Sequence, residues 1–321
     1  MCIRDRFLMY QILVDALYPV RLCRTTLKLN TMITIQNNEL QITISLKGAE
    51  VQSMKDLKTG REYGWQGDER WWKGRAPILF PIVGGMWNGE CRYGNTVLRI
   101  PKHGIMRQHT WQLAEATAEC VRLHYISTVA DFEVYPFAFE LTLTYRLQGR
   151  TLSAEFQVKN NGSSTLWFQM GGHPSIALPD WDESHTVDGY LKLEGKPESV
   201  WRAGDQGCLE PERHPVPFDA DGLVPICVDT FAHEALIFDN HEVTAATVLD
   251  REKQPVARVA SDAACWLFWS PQGQHSPFVC CEPWHGLCDH QHFEGQLSER
   301  PFMNHAECGE TWTGGYTVEL F

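Results

Sequence analysis

Residues 137–158 read FAFELTLTYRLQGRTLSAEFQV, and this stretch decides the fold. Apolar and polar residues alternate from Phe137 to Leu147, Gln148-Gly149-Arg150 supplies a turn, and alternation resumes from Leu152 to Val158. A period of two sends successive side chains to opposite faces, so the two segments read as the arms of a hairpin with one apolar face. A helix would need apolar residues at i, i+3, i+4 and i+7, and no segment after Met32 sustains that stripe over three turns.

The same text recurs on both sides. Upstream, Ile33 to Ile35 and Leu40 to Leu46 alternate around Asn37-Asn38; downstream, Asn160-Asn161-Gly162 turns the chain into Leu166 to Met170. Ala235–Phe238, Thr247–Leu249, Val256–Val259 and Cys265–Trp269 are short, β-branched or aromatic, and separated by turn residues. Many short strands at close spacing predict an all-β protein, a large antiparallel sandwich or barrel. A length of 321 residues is two domains at ~150 residues each, but all-β domains run to ~250 residues as one. Without a fixed repeat or a Pro/Ser-rich linker, residues 32–321 are expected to form a single domain. Residues 195–225, rich in Pro, Gly and Asp, are expected to be a long excursion within it. Residues 1–31 carry Arg4, Arg6, Arg21, Arg24 and Lys28 and end just before Met32. They read as an N-terminal extension, disordered or non-native, with the native start at Met32.

Forty acidic against 28 basic residues give a formal charge of −12, which argues against a nucleic-acid partner and against adsorption to anionic lipid. No apolar run reaches the ~18 residues of a membrane helix, since Phe7–Val20 is interrupted by Gln11, Asp15 and Pro19. Arg4 and Arg6 precede that run as in a signal peptide, but no clean small-residue cleavage site follows. Eleven scattered cysteines with no C-x-x-C pair read as free thiols in a reducing compartment, hence a cytoplasmic location.

Three clusters carry candidate chemistry. The first is Arg75-Ala-Pro77-Ile-Leu-Phe-Pro81-Ile-Val-Gly84-Gly85, with Lys102-His103-Gly104 downstream; the second is Met170-Gly-Gly-His173-Pro174; the third is Phe278-Val-Cys-Cys281-Glu282-Pro283-Trp284. In the second, glycines allow backbone conformations closed to other residues and the proline forces an exit, so His173 is held at a strand end. Glu282 follows an apolar run and sits beside Trp284, an environment that desolvates a carboxyl and raises its pKa towards that of a useful base. Each feature alone also has a plain structural account: a loop histidine on a backbone carbonyl, a rim carboxylate, an arginine stacked on Trp71 or Trp72. Together with Trp65, Trp167 and Trp284 they suit a sugar, which offers C–H faces to aromatic rings and hydroxyl edges to Arg, His and Glu.

The ordered set APILFPIVGG, HG, YPFAFELTLTYRL, GGHP, EALIF and PFVCCEPW resembles the aldose 1-epimerase (galactose mutarotase-like) family, closest to its LacX-like branch, from about Met32 to the C-terminus. The resemblance implies a large antiparallel β-supersandwich that interconverts α and β anomers of a free hexose with no cofactor and no metal, as a monomer or homodimer. It implies Glu282 as the base at the C1 hydroxyl, His173 as the acid at the ring oxygen, and His103 as a polarising group near that oxygen. It further implies Arg75, Glu234 and Trp284 as sugar ligands. Two departures touch binding: Gly85 stands where the branch often has arginine, and Glu234 replaces an aspartate, with Asp229 as a nearby alternative.

Three other readings compete. A hexose-6-phosphate mutarotase would need a basic cluster, for which Lys73, Arg75, Lys102 and Arg107 are candidates. A metal protein could draw on Cys280, Cys281, His285, Cys288, His290 and His292, although adjacent cysteines on a strand point to opposite faces. A non-catalytic carbohydrate-binding module would use the same pocket.

Overall fold

The hairpin forms where the alternation places it. In the computed structural model, which describes residues 31–321, strands Phe139–Gln148 and Thr151–Asn160 pair antiparallel, with Gln148 opposite Thr151. Leu141, Leu143, Tyr145 and Leu147 are buried on one arm, and Leu152, Ala154, Phe156 and Val158 on the other. Residues 1–30, and with them nearly all of the expected extension, lie outside the described residues.

That hairpin is the middle of a nine-stranded antiparallel sheet. On one side follow Thr311–Leu320, Pro255–Ala260, Val243–Leu249, Gly189–Gly195 and Val224–Ile226; on the other, Cys120–Ile126 and Gln112–Ala116. A second, eight-stranded sheet is centred on Phe278–His285, flanked by Cys265–Trp269 on one edge and by Met170–Gly172 and Ser175–Ala177 on the other. A three-stranded sheet of Met32–Gln36, Leu40–Ser45 and Val51–Asp56 packs into the same core. The protein is one domain, nearly all β, and among the described residues the only helical turns are six 3-10 turns of three residues each. None of its described helices is long and apolar enough to cross a membrane.

Two expectations are corrected. Leu166–Met170 is not one strand: Leu166–Phe168 pairs with Asn304–Ala306, while Met170–Gly172 pairs with Phe278–His285. The break falls at Gln169, whose buried amide donates to the carbonyls of Leu287 and Pro301 and accepts from Val83 N–H, tying three loops together. The 195–225 excursion is also less irregular than its composition suggests, since Ser199–Arg202, His214–Pro215 and Val224–Ile226 add edge strands to both large sheets.

Candidate active site

One strand break builds the site. Met170 and Gly171 pair with His285 and Trp284, then Ser175 pairs with Cys280 in the same register. Pairing with that strand lapses over Gly172-His173-Pro174, and the unchanged register on either side sets His173 opposite Glu282 across the break. Proline forces the lapse by lacking an N–H to donate. The glycines act differently from expectation: neither Gly171 nor Gly172 has a positive φ. They are needed for space, because a Cβ on Gly172 would lie 2.3 Å from the Tyr316 ring and one on Gly171 2.9 Å from Trp284.

His173 and Glu282 lie at the floor of a cavity of about 220 Å³, below the ~300 Å³ at which pockets for drug-sized ligands begin, and suited to one sugar ring. His103, Lys102, Glu234 and Trp284 contribute to its walls, and Trp72 stacks on His173 with ring centroids 4.8 Å apart. Gly104 explains how His103 reaches the wall. Its φ is +72° and a Cβ there would fall 2.0 Å from the Phe80 carbonyl, so only glycine lets this turn dock on the Pro77–Gly85 run. His103 itself takes a left-handed φ of 65°, an arrangement costing ~1–3 kcal/mol that packing must over-determine. Its Nδ1 accepts from Gly84 N–H at 3.2 Å, which leaves the ring proton of the neutral imidazole on Nε2.

His173 Nε2 and Glu282 Oε1 are 3.1 Å apart but not aligned as a hydrogen bond. Neither Glu282 Oε1 nor His173 Nδ1 has a hydrogen-bond partner among the described residues, although both are buried. Glu282 Oε2 accepts from Trp284 Nε1 at 3.2 Å. Burial drives both groups towards neutrality: desolvation lifts the Glu282 carboxyl well above its usual range and lowers His173 to about 3. Desolvation, then the neighbouring His173, Lys102 and Arg107, also holds His103 well below its ordinary value. The pair therefore carries one proton between pH values of about 3 and the raised carboxyl pKa, as carboxylic acid plus neutral imidazole.

Other expected residues divide. Glu234 lines the cavity from a left-handed φ of 66° and accepts from Lys102 Nζ at 2.7 Å; Asp229 lies in a short turn outside it. Arg75 is a correction: its guanidinium donates to the Gln52 carbonyl at 2.6 Å and its backbone N–H to Glu50, so it clamps the three-stranded sheet instead of lining the cavity. Of the basic candidates, Lys102 and Arg107 reach the wall and Lys73 does not. A side chain on Gly85 would meet the Gln206 carbonyl at 2.7 Å, so an arginine there requires the 205–207 turn to move. The crowded Cys/His tract does not converge: His285 packs on Trp312, His290 on Trp201 and His292 on Trp87, while Cys288 lines the cavity. Trp72 and Trp269, which wall His173 on two sides, had no assigned role beyond aromatic flank and strand residue.

The nearly all-β fold is shared with galactose mutarotase-like proteins of known structure. The model described as Aldose 1-epimerase matches residues 31–314, and the chain belongs to that family. It is 29% identical over 279 residues to the chromosomal protein LacX of Lactococcus lactis subsp. lactis, covering 84% of this chain and 92% of that protein. Among solved structures, it is similar to a galactose mutarotase related enzyme from Lactobacillus acidophilus (29% identity, TM-score 0.83, 90% of this chain and 97% of that one). It is also similar to a galactose mutarotase-like protein from Lactobacillus casei (25% identity, TM-score 0.83, 90% of this chain and all of that one).

Proposed function

We propose that this protein is an isomerase that interconverts the α and β anomers of a free hexose, with Glu282 as general base and His173 as general acid. The observation that carries the reading is the cross-strand pair itself: two buried titratable groups 3.1 Å apart, each with an atom left without a hydrogen-bond partner, both residues lining one cavity. Such a pair has two tautomers of equal proton count. Burial favours acid plus neutral imidazole; the Trp284 N–H, which pulls the Glu282 pKa down, assists carboxylate plus imidazolium, as sugar hydroxyls would, while the Lys102 charge lowers both pKa values and so favours neither tautomer by itself.

From the ionic tautomer the reaction is a closed cycle. The Glu282 carboxylate takes the C1 hydroxyl proton, the C1–ring oxygen bond breaks as the carbonyl forms, and His173 delivers its proton to the departing ring oxygen. The pair is then neutral, the state its burial favours. Rotation about C1–C2 presents the other carbonyl face, and both protons return along reversed paths. Acid and base groups so placed contribute roughly 10²–10⁴-fold each. His103 Nε2–H would donate near the ring oxygen, Glu234 and Lys102 would meet hydroxyls, and Trp284 and Trp72 would face C–H surfaces. No cofactor or metal enters these steps. The nine free cysteines among the described residues support the cytoplasmic reading.

A second reading, a phosphorylated hexose, is favoured by Lys102 and Arg107 in the wall. Exchange NMR or polarimetry of glucose, galactose and glucose 6-phosphate, wild type beside Glu282→Gln, separates them. Faster equilibration of a free sugar, lost in the variant, is expected; acceleration of the phosphate alone would move the protein to the sister activity. Sugar binding with no acceleration in either protein would leave a carbohydrate-binding module.

A further inference from the structure

The six-residue Cys/His tract scatters, yet one of its members joins the acid–base pair. Cys280 stands two residues before Glu282 on the strand Phe278–His285, hence on the same face, and opposite Ser175 just past the strand break. A ring nitrogen of His173, the Cys280 sulfur and a Glu282 carboxylate oxygen lie within 4.8 Å of one another, the one such triad among the described residues. All three residues are buried, His173 at 6% exposure and Cys280 and Glu282 at 0%. His173 Nδ1 and Glu282 Oε1 are unpartnered in that setting, and among the described residues the one hydrogen bond held by the Glu282 carboxyl is from the Trp284 N–H to Oε2.

We propose that His173, Cys280 and Glu282 form a binding site for a thiophilic divalent cation such as Zn²⁺ or Cd²⁺, and that occupancy blocks the acid–base pair. Imidazole, thiolate and carboxylate are the donor types zinc takes, at bond lengths of roughly 2.0–2.3 Å that set tetrahedral donors ~3.3–3.8 Å apart. A triangle with edges under 4.8 Å closes to that size by side-chain torsion. Charge also fits. A dication with one carboxylate, one thiolate and a neutral imidazole is neutral overall, and a low-dielectric site strongly penalises anything else. Binding releases the thiol proton and the proton of the pair to solvent. The cavity offers room for a fourth ligand, water or a sugar hydroxyl. Hard cations such as Mg²⁺ prefer oxygen ligands and a wet octahedral shell, and this donor set disfavours them.

The inhibitory consequence rests on the proposed acid and base roles; the site itself does not, and the test separates the two. The full chain is titrated with Co²⁺ in metal-free buffer, where a thiolate ligand gives a sulfur-to-cobalt charge-transfer band that Zn²⁺ displaces. Wild type is expected to show the band, and both Cys280→Ala and the nearly isosteric Cys280→Ser to lack it. In the anomer assay, Zn²⁺ is expected to stop equilibration reversibly on chelator addition. In Cys280→Ala the inhibition, measured against that variant's own metal-free turnover, should weaken at least about tenfold, the scale of losing even an outer-shell partner. Absence of the band in wild type, or an unaltered band in both Cys280 variants, overturns the site. A cobalt band in a protein that equilibrates no sugar would keep the site and remove the enzymatic reading. A band with undiminished turnover under saturating Zn²⁺ would overturn the blocking role.

Discussion

Arg300–Asp289 and His173–Glu282 are both buried pairs of ionisable side chains, and both hang from the same stretch of chain, Phe278 to Asp289 and its partners. Their hydrogen bonding differs completely. Arg300 Nε donates to Asp289 Oδ1 at 2.6 Å, one terminal nitrogen donates to Gln169 Oε1 at 3.1 Å, and the other to the Gly85 carbonyl at 3.2 Å. The second Asp289 oxygen accepts from Trp87 N–H at 3.1 Å. Around His173–Glu282, an oxygen and a nitrogen find nothing. A buried polar atom without a partner costs ~1–3 kcal/mol, so folding alone would not select it. The comparison teaches that satisfaction, more than burial, distinguishes a structural pair from a reactive one. Arg300–Asp289 fixes the loops that carry Gly85, Trp87 and Gln169; His173–Glu282 leaves two polar atoms unpartnered, which is what the proposed acid and base roles require.

The largest expected effect tests the reactive member. Glu282→Gln or His173→Asn should slow anomer equilibration roughly 10²–10⁴-fold, equivalent to about 3–5 kcal/mol of barrier. The urea-unfolding free energy should change by less than about 1 kcal/mol, or rise, as happens when a strained functional site is relieved. Strong destabilisation with modest loss of turnover would erase the contrast. The opposite pattern is expected next door. Arg300→Met leaves the Asp289 carboxylate buried and unpaired and should cost about 3–5 kcal/mol of stability, with Arg300→Met/Asp289→Leu recovering much of it. Anomer turnover per folded molecule should survive in both.

What could be read in advance follows the same divide. The hairpins were legible because period-two alternation is local; Glu282, His173 and His103 were singled out from short motifs and do line one cavity, although Glu282 lies inside the strand Phe278–His285 and His103 in a loop. Arg75 does not line the cavity, because proximity in sequence does not fix side-chain direction; its guanidinium turns to Gln52 and its carbonyl accepts from the Ser175 hydroxyl. The Arg300–Asp289–Gln169 network left no trace, since its members lie far apart along the chain and none sits in a motif. Trp72 and Trp269 belong to tryptophan-rich runs without a period, so nothing marked which of their rings would wall the cavity. The triad with Cys280 needed the register across the break, which only pairing supplies.

A smaller effect sharpens how the reactive pair is held. With no network of its own, His173 is positioned by backbone and by rings packed against glycine. Gly172→Ala would drive a methyl into Tyr316, and overpacking of this kind costs ~1–3 kcal/mol. Turnover should fall with it, because the strand that carries His173 must shift from Tyr316. A calorimetric melt and the anomer assay on the same sample check this: stability lost with turnover intact would mean that His173 does not depend on that packing.

The pH dependence of stability isolates the pair from everything else. His173 falls from its ordinary 6.5 to about 3 in the folded protein, and Glu282 rises well above its ordinary 4.5. Between the two ordinary values the unfolded chain holds one proton on this pair, on the histidine, and the folded protein also holds one, so the pair contributes no slope. Above 6.5 the unfolded pair holds none while the folded pair keeps one, and stability declines as pH rises towards the folded carboxyl pKa. Below 4.5 the unfolded pair holds two against one, and stability declines as pH falls towards about 3. Each slope amounts to about 1.4 kcal/mol per pH unit at full development. Urea melts of wild type and His173→Asn/Glu282→Gln across this range should differ by a flat-topped profile with its plateau between the two ordinary values. A difference that keeps falling through that plateau would mean that the folded pair does not hold a single shared proton, and the mechanism built on its two tautomers would fail with it.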